Sequence, residues 1–247
     1  MAIGMLGADS YCEVTESLVQ TATSVLGSTP LFWGRYFTSP TTSSAAEYKH
    51  SVESPILAEN NIRLLPIARQ TDNVGGNEQT GIDDAQNNIS DLFATFTVDY
   101  LAASSNQILM FLDVEGSPSL SLEYYNGWAT TISAYSSSQS NGRVAVLPCV
   151  YGAHSDTNTW NVLSQAVGSG IACNGAWIAR YYYSGCGAHD WDDSIIMPAV
   201  SIPCPVFIWQ YQQNCPDSNG IDCDQTNPSV DGQSQLVNRL ILVPGAG

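Results

Sequence analysis

Residues 108–116 have the sequence ILMFLDVEG, in which five apolar residues run directly into two carboxylates and a glycine. A short apolar run that ends at a turn residue is typical of a strand buried on both faces, as in a parallel sheet. Side chains two positions apart on a strand point to the same side, so Asp113 and Glu115 are predicted to face the same way. Parallel α/β folds carry their chemistry at the carboxyl ends of strands. The alternative is that both groups are merely solvated where the strand emerges, but Asp and Glu are depleted in strands, which favours a functional pair.

Strand-like and helix-like segments alternate along the rest of the chain. Further strand-sized apolar runs occur near residues 4–9, 31–37, 62–68, 143–151, 175–181 and 205–211, with a short eighth candidate at 220–224. Helical periodicity fills most of the connections, including residues 13–26, 47–60, 82–103, 120–135 and 157–167. Eight such units without a compositional break predict a single domain, residues 1–247, folded as an α/β (β/α)8 TIM-type barrel that is regular, incomplete or distorted. An open doubly wound sheet is the alternative, although no GxGxxG motif follows the first strand.

The charge balance excludes several classes of partner. The chain has 247 residues, enough to bury a large core, and carries 7 basic against 23 acidic side chains, which gives a net charge of −16. Nucleic acids and anionic membrane surfaces would be repelled by such a protein. No apolar run approaches the length of a bilayer span. We therefore expect no nucleic-acid partner and no membrane span, while the oligomeric state is left open.

Seven cysteines indicate an exported protein. None occurs in a CxxC pair with zinc-finger spacing, so neither a metal site nor another cofactor is expected. Disulfides that brace long loops, with one cysteine left over, are the better interpretation, although their pairing cannot be deduced. Residues 1–7 are too short for a leader peptide and carry no basic residue. We expect an extracellular or cell-wall-associated protein whose leader is not present in this sequence.

Carboxylates recur at the predicted strand ends. Asp9 follows the first strand, and Asp222 and Asp224 lie at the eighth. In a closed barrel these ends meet at one mouth, next to the polar loop predicted for residues 71–80. Several carboxylates around a pocket can cleave glycosidic bonds, because one acid protonates the leaving oxygen and another group stabilises the oxocarbenium-like centre. Aromatic residues near the strand ends suit sugar rings, although each is more often a core residue: Trp33, Tyr36, Tyr151, Trp177, Tyr181, Trp209 and Tyr211.

Taken in order, these motifs resemble the family 25 lysozymes of the glycoside hydrolases. The resemblance is carried by Asp9, residues 113–115 (DVE), residues 177–181 (WIARY), residues 209–211 (WQY) and Asp224. Residues 32–36 (FWGRY) and 65–68 (LPIA) more closely resemble the glycoside-hydrolase-25-like domain, DUF1906. The series covers nearly the whole chain. It implies an incomplete or distorted barrel that acts on peptidoglycan, or that descends from enzymes acting on it.

The resemblance also implies roles for individual residues. Glu115 would be the general acid, and Asp113 would orient the substrate's N-acetyl group as that group attacks the anomeric carbon. Asp9 and Asp224 would line the pocket of the sugar that is cleaved. The further residues that we expect to bind substrate are Trp33, Arg35, Tyr151, Trp177, Tyr181, Trp209 and Gln210.

The chain departs from the family at two places. Ser117 stands where family 25 lysozymes often have another acidic residue, and residues 9–11 read DSY where the family usually has DVS. The sequence therefore predicts a lysozyme-type (muramidase-type) glycoside hydrolase that acts on peptidoglycan or a related N-acetylated glycan. The alternative is a catalytically inactive cell-wall or carbohydrate-binding domain that keeps the pocket.

Three other patterns allow different chemistry. Cys149 and His154 are residue types that can act as a nucleophile and a base, but the sequence shows no third residue that would orient them. Residues 189–193 (HDWDD) offer oxygens to a cation, but they lack the glycine and the spacing of a calcium loop, which favours a solvated acidic loop. Asp222 and Asp224 repeat the spacing of the first pair and are also compatible with a metal site.

Overall fold

Eight strands close into a barrel in chain order in the computed structural model, which describes residues 2–37, 47–216, 220–229 and 235–245. The strands are β1 (Leu6–Asp9), β2 (Phe32–Phe37), β3 (Arg63–Ala68), β4 (Gln107–Val114), β5 (Ala145–Ala153), β6 (Ala176–Ala179), β7 (Val206–Cys215) and β8 (Ile221–Thr226). The predicted TIM-type barrel is confirmed. Strands β1 to β7 are parallel to one another, whereas β8 runs antiparallel to both β7 and β1.

The reversed direction of β8 distorts the barrel and follows from a short connection. β7 ends at Cys215 and β8 begins at Ile221, whereas a parallel crossover needs about a dozen residues or more. The chain therefore turns straight back. As a result it is the first part of β8 that lies at the mouth, where Asp222 pairs with Asp9, while Asp224 pairs with Gly7 one layer deeper.

Seven helices are present in the described part of the chain: α1 (Glu16–Leu26), α2 (His50–Glu59), α3 (Glu78–Thr95), α4 (Val98–Ser104), α5 (Leu122–Gln139), α6 (Thr157–Gly168) and α7 (Asp193–Ile196). The prediction of a single helix over residues 82–103 is wrong. The chain is extended at Phe96, and Thr97 begins a new helix, because its side chain accepts a hydrogen bond from the Tyr100 amide. Gly27 ends α1 in the left-handed region of backbone conformation, which favours glycine. None of these helices has the length and apolarity to cross a membrane.

The amino end of the barrel is filled and closed by apolar side chains. The inner cluster includes Phe32, Leu65, Leu109, Phe111, Cys149 and Phe207. Leu236 and Leu240 of the C-terminal segment join it. Ile241 exchanges two backbone hydrogen bonds with Leu64, at 2.9 and 3.0 Å, which holds that segment across the amino end. A second apolar layer packs the helices against the outside of the barrel.

One disulfide, Cys186–Cys215, ties the long connection before β7 to the end of that strand. It confirms that a disulfide braces this part of the chain. Cys173 and Cys204 are unbonded, but their Sγ atoms lie only 3.3 Å apart.

Candidate active site

A cavity of about 690 Å³ opens at the carboxyl end of the barrel. This volume lies within the range of small-molecule sites, about 300–1,000 Å³. Its lining comprises five carboxyl groups (Asp9, Asp72, Asp113, Glu115 and Asp222), four aromatic residues (Tyr11, Tyr36, Tyr151 and Trp177), five amide or hydroxyl residues (Gln70, Thr71, Asn73, Gln210 and Gln213), Arg69 and Ile67. The cavity is therefore acidic and polar, with aromatic walls.

Asp113 and Glu115 both line this cavity, in different surroundings. Asp113, on β4, is only 2% exposed, whereas Glu115 lies one residue beyond the strand and is exposed. Thr71 Oγ1 donates to Asp113 Oδ2 at 3.3 Å, and Tyr151 lies with its hydroxyl 2.9 Å from Glu115 Oε1. Asp113 Oδ1 is buried and has no hydrogen-bond partner within the described ranges.

Asp113 is a carboxyl group that keeps its proton. Burial, and next the negative charge of Glu115, raises the pKa of Asp113 to about 8, although the Thr71 hydrogen bond and the Arg69 charge oppose the shift. Asp113 is therefore protonated at pH 7, and the buried oxygen that lacks a partner is free to act toward a ligand.

Gln210, on β7, ties the other side of the cavity together. Its Nε2 donates to Asp9 Oδ2 at 3.1 Å and to Asp222 Oδ2 at 3.0 Å. Its Oε1 accepts from the Tyr151 hydroxyl at 2.7 Å and from the Tyr181 hydroxyl at 2.9 Å. All the hydrogen-bonding positions of the amide are thus in use, which fixes Gln210 and the groups around it.

Asp9 and Asp224 are two carboxyl groups that lie buried beneath the mouth. Burial and the charge of Asp224 raise the pKa of Asp9 well above its usual range. Burial likewise raises the pKa of Asp224, which receives a hydrogen bond from Trp177 Nε1 at 3.0 Å. Asp224 Oδ2 is buried and has no hydrogen-bond partner among the described residues.

Gly34 makes the close packing around Asp9 possible. A Cβ at this position would lie 2.7 Å from the Asp9 Cβ and 3.2 Å from Trp177 Cη2. The glycine of the FWGRY motif is therefore the residue that lets β2 approach the centre of the site.

The structure brings six of the predicted site residues to the cavity: Asp9, Asp113, Glu115, Tyr151, Trp177 and Gln210. Tyr181 reaches Gln210 with its hydroxyl and is 40% exposed, so it stands at the rim. Asp224 lies outside the described lining and supports Asp9 and Trp177 from below.

Three residues expected at the cavity lie instead on the outer face of the barrel. Trp33 and Arg35 alternate with Gly34 and Tyr36 on β2, and the inward positions belong to the latter two. Arg35 pairs with Glu53 of α2 at 2.6 Å, and both side chains are fully buried. Trp33 donates to Ser10 Oγ at 3.0 Å, and Trp209 donates to the Arg180 carbonyl oxygen at 2.9 Å.

Sequence reasoning missed Arg69 and Gln70 as cavity residues. They begin the polar run RQTDN at residues 69–73, directly after β3. Their position directly after a buried strand could have predicted that they lie at the mouth, because the carboxyl ends of the strands meet there. Arg69 lies over the Tyr36 ring, with its guanidinium carbon 5.3 Å from the ring centroid.

The other patterns do not gather into sites of the kind considered above. Cys149 faces the barrel interior, where burial raises the pKa of its thiol well above the usual range. His154 contacts Arg180 and the Met197 carbonyl oxygen. Asp192 caps α7, and no group of three or more His, Cys, Asp or Glu side chains in the described residues is placed to hold a metal ion.

No protein-family model and no curated protein matches the sequence. Several solved structures do match the fold. An uncharacterized B. stearothermophilus protein has a TM-score of 0.73 at 20% identity, with 96% of this chain and 100% of that one covered. The muramidase from Acremonium alcalophilum has a TM-score of 0.56 at 15% identity, with coverage of 95% and 99%. The Mycobacterium tuberculosis Tat-secreted protein Rv2525c in complex with L-tartrate has a TM-score of 0.54 at 15% identity, with coverage of 92% and 97%. The chain thus has the same barrel fold as proteins that include a muramidase.

Proposed function

We propose that this protein is a lysozyme-type glycoside hydrolase that cleaves peptidoglycan or a related N-acetylated glycan. The observation that carries the proposal is the pair at the end of β4: a buried, protonated Asp113 and an exposed Glu115 that line one cavity. Glycosidases use two carboxyl groups whose surroundings differ in this way. The shared fold with the Acremonium alcalophilum muramidase supports the choice of reaction.

In this mechanism Glu115 is the general acid. Its proton passes to the glycosidic oxygen as the C–O bond breaks, and the leaving sugar departs as an alcohol. The carbonyl oxygen of the substrate's own N-acetyl group attacks the anomeric carbon and forms a cyclic oxazolinium ion. The Tyr151 hydroxyl, 2.9 Å from Glu115 Oε1, holds the carboxyl group toward the cavity.

Asp113 orients the N-acetyl group and balances its charge. Without a ligand, the pKa of about 8 keeps a proton on Asp113 at pH 7. When a sugar fills the cavity, this proton moves to Glu115, which arms the general acid and leaves an anionic Asp113 to accept the N–H of the oxazolinium ion. Water then attacks the anomeric carbon and gives its proton to the Glu115 carboxylate, so that the configuration is retained.

The glycan substrate fits a location outside the cytoplasm, extracellular or associated with the cell wall. The Cys186–Cys215 disulfide is of a kind that persists in oxidising compartments. A structural relative described as Tat-secreted gives further support.

An inactive carbohydrate-binding domain is the second candidate, and Ser117 favours it. This exposed serine lies two residues beyond Glu115, where family 25 lysozymes often carry another acid. Such a domain would keep the cavity and bind the same glycans without forming a product.

The test is the release of reducing ends from purified peptidoglycan and from chitin oligomers. We expect Glu115→Gln to lower the rate at least ~100-fold, the usual scale for loss of a general acid. Glu59→Gln is the matched control, since Glu59 is exposed at the end of α2 and remote from the mouth. No product from wild type, together with saturable oligosaccharide binding, would establish the binding domain instead.

A further inference from the structure

Gln70 is a buried amide that the fold leaves without a partner. It follows β3, lines the cavity and is only 1% exposed. Neither its Nε2 nor its Oε1 has a hydrogen-bond partner among residues 2–37, 47–216, 220–229 and 235–245. An unpaired buried amide is destabilising, and native proteins contain few of them, so its presence at a cavity points to a ligand.

The backbone holds Gln70 in this position. Its N–H donates to the Ala68 carbonyl oxygen at 3.2 Å, and its carbonyl oxygen accepts from the amides of Asn73 at 2.8 Å and Val74 at 3.1 Å. Val74 is fully buried, so the turn is anchored in the core. The amide is therefore presented to the cavity by a fixed turn.

The floor of the cavity offers Gln70 together with Asp113. Thr71, the next residue, donates to Asp113 Oδ2, while Asp113 Oδ1 is also buried without a partner in the described residues. A side-chain amide presents a donor and an acceptor side by side. Adjacent oxygens of a β-linked N-acetylhexosamine match it, because the 3-hydroxyl donates to Oε1 while the neighbouring O4, free or glycosidic, accepts from Nε2.

The acidic lining of the cavity favours neutral sugars over anionic ones. Arg69 is the one basic residue among the described lining residues, against five carboxyl groups. Muramic acid carries a lactyl carboxylate on O3, which removes a free hydroxyl and adds a negative charge to an acidic cavity. N-acetylglucosamine keeps the hydroxyl and is neutral.

We propose that Gln70 binds the free 3-hydroxyl and the adjacent O4 of a neutral N-acetylhexosamine, so that the cavity prefers a chitin-type sugar to a muramic acid residue. Gln70 is then a specificity-determining residue. This inference rests on the proposed glycan-cleaving function and names the class of sugar that the same site takes.

Calorimetric titration with N,N′,N″-triacetylchitotriose, and with N-acetylglucosamine and N-acetylmuramic acid as single sugars, tests the proposal. Gln70→Met is expected to weaken chitotriose binding at least about tenfold, because two hydrogen bonds to the sugar are lost. It should not lower the thermal unfolding midpoint, because an apolar side chain replaces an unpaired amide. Gln165→Met, an exposed position on α6, is the matched control and should bind as wild type does.

Chitotriose binding by Gln70→Met that equals wild type would overturn the proposal, as would wild-type binding of N-acetylmuramic acid as tight as that of N-acetylglucosamine. A lowered unfolding midpoint with unchanged affinity would make the amide structural. If Gln70→Met does not fold, the affinity of Gln70→Asn for chitotriose is measured instead. This side chain is one methylene shorter, so its amide lies farther from the sugar, and the same loss of affinity is expected. Cleavage of peptidoglycan without chitotriose binding overturns this inference alone, whereas chitotriose binding without any product overturns only the hydrolase.

Discussion

A single residue separates Asp113 from Glu115, yet the end of a strand gives them different surroundings. Asp113 is the last inward-facing residue within β4, so the barrel wall desolvates it, while Glu115 projects past the wall into the mouth. Desolvation disfavours the charged form, and the exposed Glu115 charge adds to the effect on Asp113. In the proposed mechanism this motif supplies a proton store, Asp113, and an accessible acid, Glu115, on one face.

Removing the proton store is expected to change the pH dependence of activity. In wild type, kcat/KM should fall as pH rises through about 8, the pKa of Asp113, because the proton that arms Glu115 is lost. Asp113→Asn should lower kcat strongly and remove the limb at about pH 8, because Asn cannot hold the proton that passes to Glu115. Rate profiles from pH 5 to 10 measure both effects, with Asp83→Asn on the exposed face of α3 as control. A wild-type rate that is constant from pH 7 to 10 would contradict the assignment.

At the scale of elements, the sequence predicted where the strands lie better than it predicted which of their side chains point into the barrel. In β4 the carboxylates mark the inward face, since the outer layer against the helices is apolar. In β2 nearly every position is buried, so the pattern of apolar residues does not show which alternate set points inward. Trp33 and Arg35 were assigned to the cavity from the family resemblance of the FWGRY motif, and the burial pattern gave no means of correcting that assignment. The direction of β8 was readable in principle, because the connection after β7 is too short for a parallel crossover.

The contact between β2 and α2 predicts a structural rather than a ligand-binding role for Arg35. Glu53 accepts hydrogen bonds from Arg35 and from the backbone amides of Val14 and Lys49. Glu53→Gln leaves the fully buried guanidinium without its counter-charge, and breaking a buried ion pair in this way costs about 3–5 kcal/mol. We expect the free energy of unfolding in urea to fall by about that amount while KM of the folded variant stays unchanged. The exposed Glu59→Gln should be neutral in both measurements, and a raised KM for Glu53→Gln at unchanged stability would contradict this role.

At the scale of the whole molecule, the alternation of strands and helices was enough to predict the closed barrel and the meeting of its carboxyl groups at one mouth, whereas the protonation of those groups was not predictable. Asp9 and Asp224 are far apart in the chain and meet only because β1 and β8 pair. Gln210 joins Asp9 and Asp222 by a bulged region of β7, which no spacing in the sequence encodes. The mouth therefore gathers acids from several strands, and burial rather than ion pairing decides their protonation.

This gathering of acids predicts that the protein is most stable at mildly acidic pH. Burial is the first cause of a raised pKa for Asp9, Asp113, Asp222 and Asp224, with values of about 8 for Asp113 and about 6 for Asp222. In the unfolded chain these groups ionise near pH 4, so between about pH 4 and pH 8 the folded state binds more protons. The free energy of unfolding must then fall as pH rises, by about 1.4 kcal/mol per pH unit for each group protonated only in the folded state. Self-repulsion from the net charge of −16 acts in the same direction.

Thermal unfolding at fixed ionic strength should therefore give the highest midpoint near pH 4–5 and a steady decline toward pH 8. Asp113→Asn, which cannot ionise, should flatten the decline between about pH 6 and pH 8, because Asp113 titrates at about 8 in the folded state. The exposed Asp83→Asn should follow the wild-type curve. A midpoint that rises with pH over this window would mean that the mouth carboxyl groups are ionised and paired in the folded protein. Asp113 would then carry no proton, and the mechanism proposed for Glu115 would lose the source of the proton that it donates.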